Sequence, residues 1–460
     1  MTRERLVIHD DAVARGFEPF ALTRPIGTLA TGIAPIADRW SMALGLDGAH
    51  CSGAAHLADF EEELQMQRQA LPAGSIVASS RFAPAYAALA ADRGPSSWAS
   101  GGRLVAVRLR EGLKAASPDA LDKLLAARPG AGAVEIDGWW HDEVWDFIRL
   151  LPTILADDIR RISSNVALAA KFGGAAPSHA TILGDHPILI DPGSSVADSE
   201  STLIERHVVL DATTGPILIE AGAHIRSFTR ITGPCRIGHK STIMGGDVTG
   251  CSIGPVCKVR GEISSSILLG YSNKGHDGFV GHSYLGRWVN LGAGTTTSNL
   301  KNTYGSVALW TPTGVRDTGM QFLGTMFGDH VKTGIGMMLT TGTVLGAGAN
   351  VYGSSMPPKV VSPFSWGDGE PYDVYRLDKF LGSAETMMSR RHMTLAERSK
   401  RQLAASFERR WSASLDAKTQ SGRASRPEAR RQGALEANKK TNKKAATRAS
   451  KRAGKKGGRR

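Results

Sequence analysis

Ile219-Glu-Ala-Gly-Ala-His-Ile225-Arg-Ser-Phe-Thr-Arg-Ile231-Thr-Gly-Pro-Cys-Arg-Ile237-Gly-His-Lys-Ser-Thr-Ile243 carries an isoleucine at every sixth position. That period fits neither a helix, at about 3.6, nor an amphipathic strand, at about 2. It describes a coil of short strands and corners, with one aliphatic side chain pointing inward per repeat and about three repeats per turn. The register resumes at Ile253-Gly254 and Val259, at Val280-Gly281, Leu285-Gly286 and Leu291-Gly292, and at Leu339, Leu345 and Val351. Glycine after the aliphatic residue suits a corner, where a side chain would crowd the backbone. Stacked coils bury an aliphatic column and pair their backbone groups above and below. The break from Leu268 to Gly278 is expected to leave the coil as a loop, and loops on a rigid repeat are favoured places for function.

Outward from this coil the chain changes character. In residues 1–175 the apolar runs Leu6-Val-Ile8, Ser75-Ile-Val-Ala78 and Leu104-Val-Ala-Val107 alternate with helix-compatible stretches, which predicts an α/β domain. The parallel β-helix is expected over 180–356. A connector and helical extension follow over 357–415, with Leu, Met, Glu and Arg at helical spacing from Leu377 to Trp411. The net charge of +13 does not belong to the folded part. Residues 421–460 hold 15 Lys and Arg against 2 acidic residues, whereas residues 1–420 hold 41 of each sign. The tail, 416–460, has almost nothing to bury and is expected to be disordered, with non-specific affinity for polyanions or a purely solubilising role.

No apolar run approaches the roughly 20 residues of a membrane-spanning helix, and Met1-Thr-Arg-Glu-Arg-Leu lacks the apolar stretch of a secretion signal. Cys51, Cys235, Cys251 and Cys257 form no C-x-x-C pair, which suits a reducing compartment. A cytoplasmic protein is expected.

The chemistry concentrates between Gly270 and Tyr304. Transfer of an acyl group from a thioester to an amine needs a base, donors for the developing oxyanion, and polar or cationic groups for the acceptor. His276 supplies an imidazole, the side chain most often used as a general base. Asn290, Asn299, Lys274 and Tyr304 supply amides, a cation and a hydroxyl in the same stretch.

The run Lys274-Gly-His276, Leu291-Gly-Ala-Gly294 and Asn299 resembles the acetyltransferase site of the bifunctional UDP-N-acetylglucosamine diphosphorylase/glucosamine-1-phosphate N-acetyltransferases. Tyr271-Ser-Asn-Lys-Gly-His-Asp-Gly278, Ser298-Asn-Leu-Lys-Asn302, Gly319-Met-Gln-Phe322 and Ser362-Pro-Phe-Ser-Trp366 resemble a shorter alternative form of that enzyme. The resemblance implies a left-handed coil and acetyl-CoA as acyl donor. It also implies an amino-sugar 1-phosphate acceptor, with glucosamine 1-phosphate the first choice, and a homotrimer. On the same resemblance His276 is the general base, Glu262 orients it, Asn299 contacts the substrate and Ala293 lies near the acyl donor. Phe279 stands where the standard members have a tyrosine. Ser264 stands where they have a phosphate-binding lysine, which leaves Lys274 or Arg260 to take that part.

The amino-terminal half lacks a glycine-rich phosphate loop after Leu6-Val-Ile8. Phe20-Ala-Leu-Thr-Arg-Pro-Ile-Gly27 and Gly32-Ile-Ala-Pro-Ile-Ala-Asp-Arg-Trp40 resemble the opening of the shorter form. That implies a nucleotidyltransferase-like domain that uses UTP and Mg²⁺. Arg24 and Arg39 are candidate phosphate ligands, or else a structural Arg-Pro turn and a solvated helix arginine. Asp137 or Asp146 is the candidate Mg²⁺ ligand. Two other readings stay open: a sugar-nucleotide-binding scaffold without turnover, and a zinc β-helix that would need three of His224, His239, His276, His282 and His330 to converge.

Overall fold

The computed structural model describes residues 5–412 except 63, 67–69, 88, 90–95, 115 and 194–200. The basic tail expected over 416–460 lies outside the described residues.

Seven strands make the first sheet: β1 (Leu6–His9), β2 (His50–Ser52), β3 (Gln65–Met66), β4 (Ile76–Ser79), β5 (Ser97–Ser100), β6 (Arg103–Arg108) and β7 (Val134–Glu135). Their order is β7-β5-β6-β4-β1-β2-β3. β1 runs parallel to β2 and β4, and β6 is antiparallel to β4. All four residues of β1 are buried, as a continuous apolar run in a sheet covered on both faces should be. The covering helices include α1 (Ile36–Leu44), α2 (Pro118–Leu125) and α3 (Leu151–Ser164). Gly45, at φ +63°, stops α1 in the left-handed conformation that glycine adopts most cheaply. α2 starts where the Ser117 side chain accepts from the Ala120 N–H and Pro118 takes the first helical position.

The coil confirms the period of six. On its first face, nine parallel strands run from Ile188–Ile190 to Val360–Val361. Ile190, Ile219, Ile237, Ile253, Leu268, Leu285, Phe327, Leu345 and Val361 stack in one inward column. Ile225, Ile231 and Ile243 occupy the other two faces, and none of these isoleucines touches solvent. The expectation of a loop from Leu268 to Gly278 is corrected. Asn273 and Lys274 pair with Lys258 and Val259, so the segment stays within the coil. Lys274 takes an aliphatic place in the column because its ammonium folds back onto two backbone carbonyls.

The true excursion runs from Asn299 to Gly324 and contains the hairpin Ala308–Thr311/Gly314–Asp317. The coil resumes with Tyr284 beside Met326. A Cβ at Gly324 would lie 2.1 Å from the Gly281 carbonyl oxygen, so re-entry requires glycine.

The outward side of the first face is also buried. Leu218, Ile267, Tyr284, Met326 and Val344 join Phe20, Phe147 and Leu155 in a single core. The Tyr284 hydroxyl donates to the Ala30 carbonyl at 3.1 Å, and Phe20 packs on its ring at 4.7 Å. Two helices follow the coil as expected, α4 (Leu377–Ser389) and α5 (Glu397–Glu408). Phe380 and Leu403 pack with Phe364, Trp288 and Leu22, tying this arm to the coil and to the amino-terminal segment.

Candidate functional site

One corner of the coil gathers three of the expected site residues on neighbouring turns, and a fourth, Asn299, lies by the next corner. His276 begins the corner that leads into Phe279, and Phe279 pairs with Glu262 on the turn below. The Gly278 carbonyl accepts from the Glu262 N–H at 3.2 Å. The turn above is tied in through Gly294, whose N–H donates to the Asp277 carbonyl at 3.0 Å and thereby sets Ala293 beside the corner. Asn299 lies against Gly281, and its Nδ2 is 2.9 Å from His282 Nδ1. His282, with φ +47°, is a corner residue. Burial pushes its imidazole down to about 4, so it is neutral at physiological pH. The side chains of His276 and Glu262 are exposed, and among the described residues neither makes a side-chain hydrogen bond.

The remaining residues read from this stretch have internal partners or stand apart. Lys274 is 1% exposed, and its Nζ donates to the carbonyls of Arg260, at 3.2 Å, and of His276. Burial pushes its ammonium down to about 8, which leaves it charged at neutral pH. Arg260 is half-exposed and donates to Asp277 Oδ1 at 2.9 Å and to the Met244 carbonyl at 3.0 Å. Asn290 accepts from Asn273 Nδ2 at 2.9 Å on the face that precedes the corner. Tyr304 projects from the excursion with 69% of its surface exposed.

In the amino-terminal half, the arginine positions left open by the sequence turn out to be buried. Arg24 Nε donates to Asp329 Oδ2 at 2.8 Å, and its Nη2 donates to Glu62 Oε2 at 3.2 Å. Arg39 pairs with Asp158 and donates to the Pro84 carbonyl at 2.8 Å. Arg24 thus belongs to the Arg-Pro turn and its docking on the coil, and Arg39 is a core residue rather than a solvated one. Asp146 accepts from the N–H groups of Asp142 and Glu143 at 2.9 and 3.0 Å, which commits it to a turn. Asp137 is exposed, 3.9 Å from Arg161. No group of three or more His, Cys, Asp or Glu placed to hold a metal ion occurs among the described residues, so the five coil histidines do not form a zinc site there.

The sequence reading missed a crevice at the carboxyl ends of β1 and β4, where open α/β sheets receive their ligands. It encloses about 390 Å³ and is lined by Asp11, Ser79, Arg81, Arg103, Asp122 and Trp140, among others. Arg81 donates to both oxygens of Asp11, at 2.6 Å to the nearer, and to Asp142 at 2.7 Å. The Arg103 guanidinium lies 3.5 Å from the centre of the Trp140 ring. Below them His9 Nε2 and Arg15 Nη2 hold the two oxygens of Asp122 at 2.7 and 2.8 Å. Partial burial would raise Asp122, but the hydrogen bonds from Arg15 and His9 keep its carboxyl below the ordinary range. The available signal was position: Asp11 and Arg81 follow directly on two strands that the sequence does predict.

Residues 6–166 match a family model described as sugar nucleotidyl transferase. The bifunctional protein GlmU of Methanococcus vannielii is 26% identical over 265 residues, 57% of this chain and 53% of that protein. The bifunctional sugar-1-phosphate nucleotidylyltransferase/acetyltransferase of Sulfurisphaera tokodaii is 33% identical over 91 residues, 20% of this chain and 23% of that protein. The chain therefore spans about half the length of the first of these relatives and about a quarter of the second. The crystallographically analysed polysialic acid O-acetyltransferase OatWY overlaps 42% of this chain and 87% of its own at 14% identity, with a TM-score of 0.19, a likeness too loose to bear on the fold. The first sheet is thus similar to sugar nucleotidyl transferases, and the chain, in which a β-helix follows, is similar to bifunctional GlmU proteins over about half its length.

Proposed function

We propose that the β-helix transfers an acetyl group from acetyl-CoA to the amine of an amino-sugar 1-phosphate, first of all glucosamine 1-phosphate. The observation that carries this reading is the exposed imidazole of His276, without a side-chain hydrogen bond among the described residues, at a corner shared with Glu262 and Ala293, with Asn299 by the next corner. His276 takes the proton from the amine as nitrogen attacks the thioester carbonyl, the C–S bond then breaks and the CoA thiolate leaves with that proton from the imidazolium, and Glu262 orients the ring. Asn299 contacts the sugar, and the backbone at Ala293 faces the acyl donor. Tyr304 and the outer surface of Arg260 remain available to the acceptor, whereas Lys274 and Asn290 act from within the coil. The homotrimer implied by the resemblance belongs to the same proposal, as does a cytoplasmic location. No helix among the described residues is long and apolar enough to cross a membrane. Wild-type protein given acetyl-CoA and a panel of amino-sugar phosphates should release free CoA with at least one of them. Inactivity across the panel sinks the reading and leaves ligand binding without turnover.

The amino-terminal domain, on the same proposal, transfers a uridylyl group from UTP to a sugar 1-phosphate in the crevice at the ends of β1 and β4. Arg81 and Arg103 supply the cations that face the cavity, and Trp140 supplies an aromatic surface. Mg²⁺ is expected to arrive with the triphosphate and to need only one or two protein carboxylates. Asp11 lines the cavity, whereas Asp146 is committed to its turn. Magnesium bound there would neutralise the phosphate oxygens. Arg81→Ala should lower pyrophosphate release by about 100-fold, in line with removal of a preorganised donor. An unchanged rate would take Arg81 out of the site.

A further inference from the structure

We infer that Lys274 is a positioning residue for His276, fixing the backbone of the corner that presents the imidazole; this rests on the acetyl-transfer reading of that corner.

The column position filled by Lys274 is an aliphatic one. Ile225, Ile243 and Val259 precede it in the stack. Packing alone would favour another aliphatic residue there, because burying a cation costs far more than burying a methylene chain unless the charge is hydrogen-bonded. Its ammonium is satisfied by the carbonyls of His276 and Arg260, so one side chain bridges the His276 corner to the turn below it. The corner needs such a brace. Gly275 and Gly278 flank His276-Asp277, and glycine loses more backbone freedom on ordering than any other residue. Gly278 has φ +127°, and a Cβ there would lie 2.4 Å from the Thr295 carbonyl oxygen. Glycine is therefore imposed by the stacking, and the freedom it brings must be removed by contacts made elsewhere. Lys274 removes it from inside the coil. Arg260 adds a second brace from outside through Asp277. At 1% exposure Lys274 offers no surface to a substrate phosphate, so its effect on the reaction passes through His276.

Lys274→Met keeps the length and apolar stem but leaves both carbonyls without their donor. It should lower kcat by about 10- to 100-fold, the scale of a misplaced catalytic group, with KM for acetyl-CoA and for the amino-sugar phosphate within about twofold. Hydrogen–deuterium exchange of the peptide spanning 270–280 should speed up in this variant while the rest of the coil is unchanged. In Lys274→Ala, n-propylammonium should restore part of kcat and 1-butanol should not, because charge and donors matter rather than volume. A raised KM at constant kcat would make Lys274 a substrate ligand and overturn the inference, as would unchanged kcat with unchanged exchange. If the wild-type protein releases no CoA from any acceptor, the acetyl-transfer reading fails by itself. The exchange experiment then still decides the brace: faster exchange at 270–280 upholds it, and unchanged exchange overturns it.

Discussion

His276→Ala is expected to lower the rate of CoA release by about 10²–10⁴, the contribution of a positioned general base. The loss should appear in kcat, because the imidazole acts on the proton as nitrogen attacks rather than on the binding of either substrate. The fold should be untouched. The side chain is exposed and, among the described residues, makes no side-chain hydrogen bond, so truncation opens no cavity and strands no partner. Thermal unfolding of the variant should superimpose on that of the wild type, and single-turnover CoA release should be slow at saturating acetyl-CoA. A rate equal to wild type would remove His276 from the mechanism. A co-operative loss of stability would show that the residue holds the corner instead of using it.

Arg24→Ala is expected to cost about 3–5 kcal/mol of stability, because it breaks a buried ion pair by removing one partner. Arg24 is 0% exposed and sits between Asp329 of the coil and Glu62 of the amino-terminal domain. Arg287 also approaches Glu62, and Trp288 Nε1 donates to the same carboxylate at 2.5 Å. Removing the guanidinium leaves two carboxylates facing each other's side of the cluster with one fewer cation. Burial would raise the Glu62 carboxyl, but Arg287 and Arg24 hold it well below the ordinary range. A carboxyl depressed in this way contributes stability that is present above its unfolded value and lost as pH falls through its folded value. Wild type should therefore weaken in acid below the ordinary glutamate range, and Arg24→Ala should start from lower stability at neutral pH with a shallower acid dependence. Urea unfolding between pH 7 and pH 3 measures both. A variant of wild-type stability that has lost pyrophosphate release would return Arg24 to the phosphate site.

How far the site was legible follows from where each residue gets its partners. Glu262, Ala293 and Asn299 lie within the repeat, so their places on successive turns follow from local spacing, whereas His276 falls in the segment expected to leave the coil and is set beside Glu262 and Ala293 only by the stacking. Lys274 and Arg260 are cations in the same stretch, and charge alone made them candidates for a phosphate. Apart from the His276 carbonyl, two residues from Lys274, their actual partners are carbonyls and a carboxylate one turn away, which only the stacking brings into reach. Arg24 and Arg39 were open between two roles because the deciding groups, Asp329 and Asp158, are distant in sequence by 305 and 119 residues.

The sequence by itself determined the coil, its inward isoleucine column and the α/β character of the first domain. Each of these rests on repetition or on contacts between near neighbours, where spacing translates directly into geometry. Tertiary structure alone decided that the outward side of the first coil face is buried against the amino-terminal domain, that the Leu268–Gly278 segment stays in the stack, and that a crevice opens beside Arg81. The first depends on contacts across more than a hundred residues, the second on pairing with the turn below, and the third on ion pairs 61 and 70 residues apart. Hydrophobic burial drives such pairings without direction, and the shape of the partner surface decides which apolar face is covered and which arginine is left at the edge of a cavity.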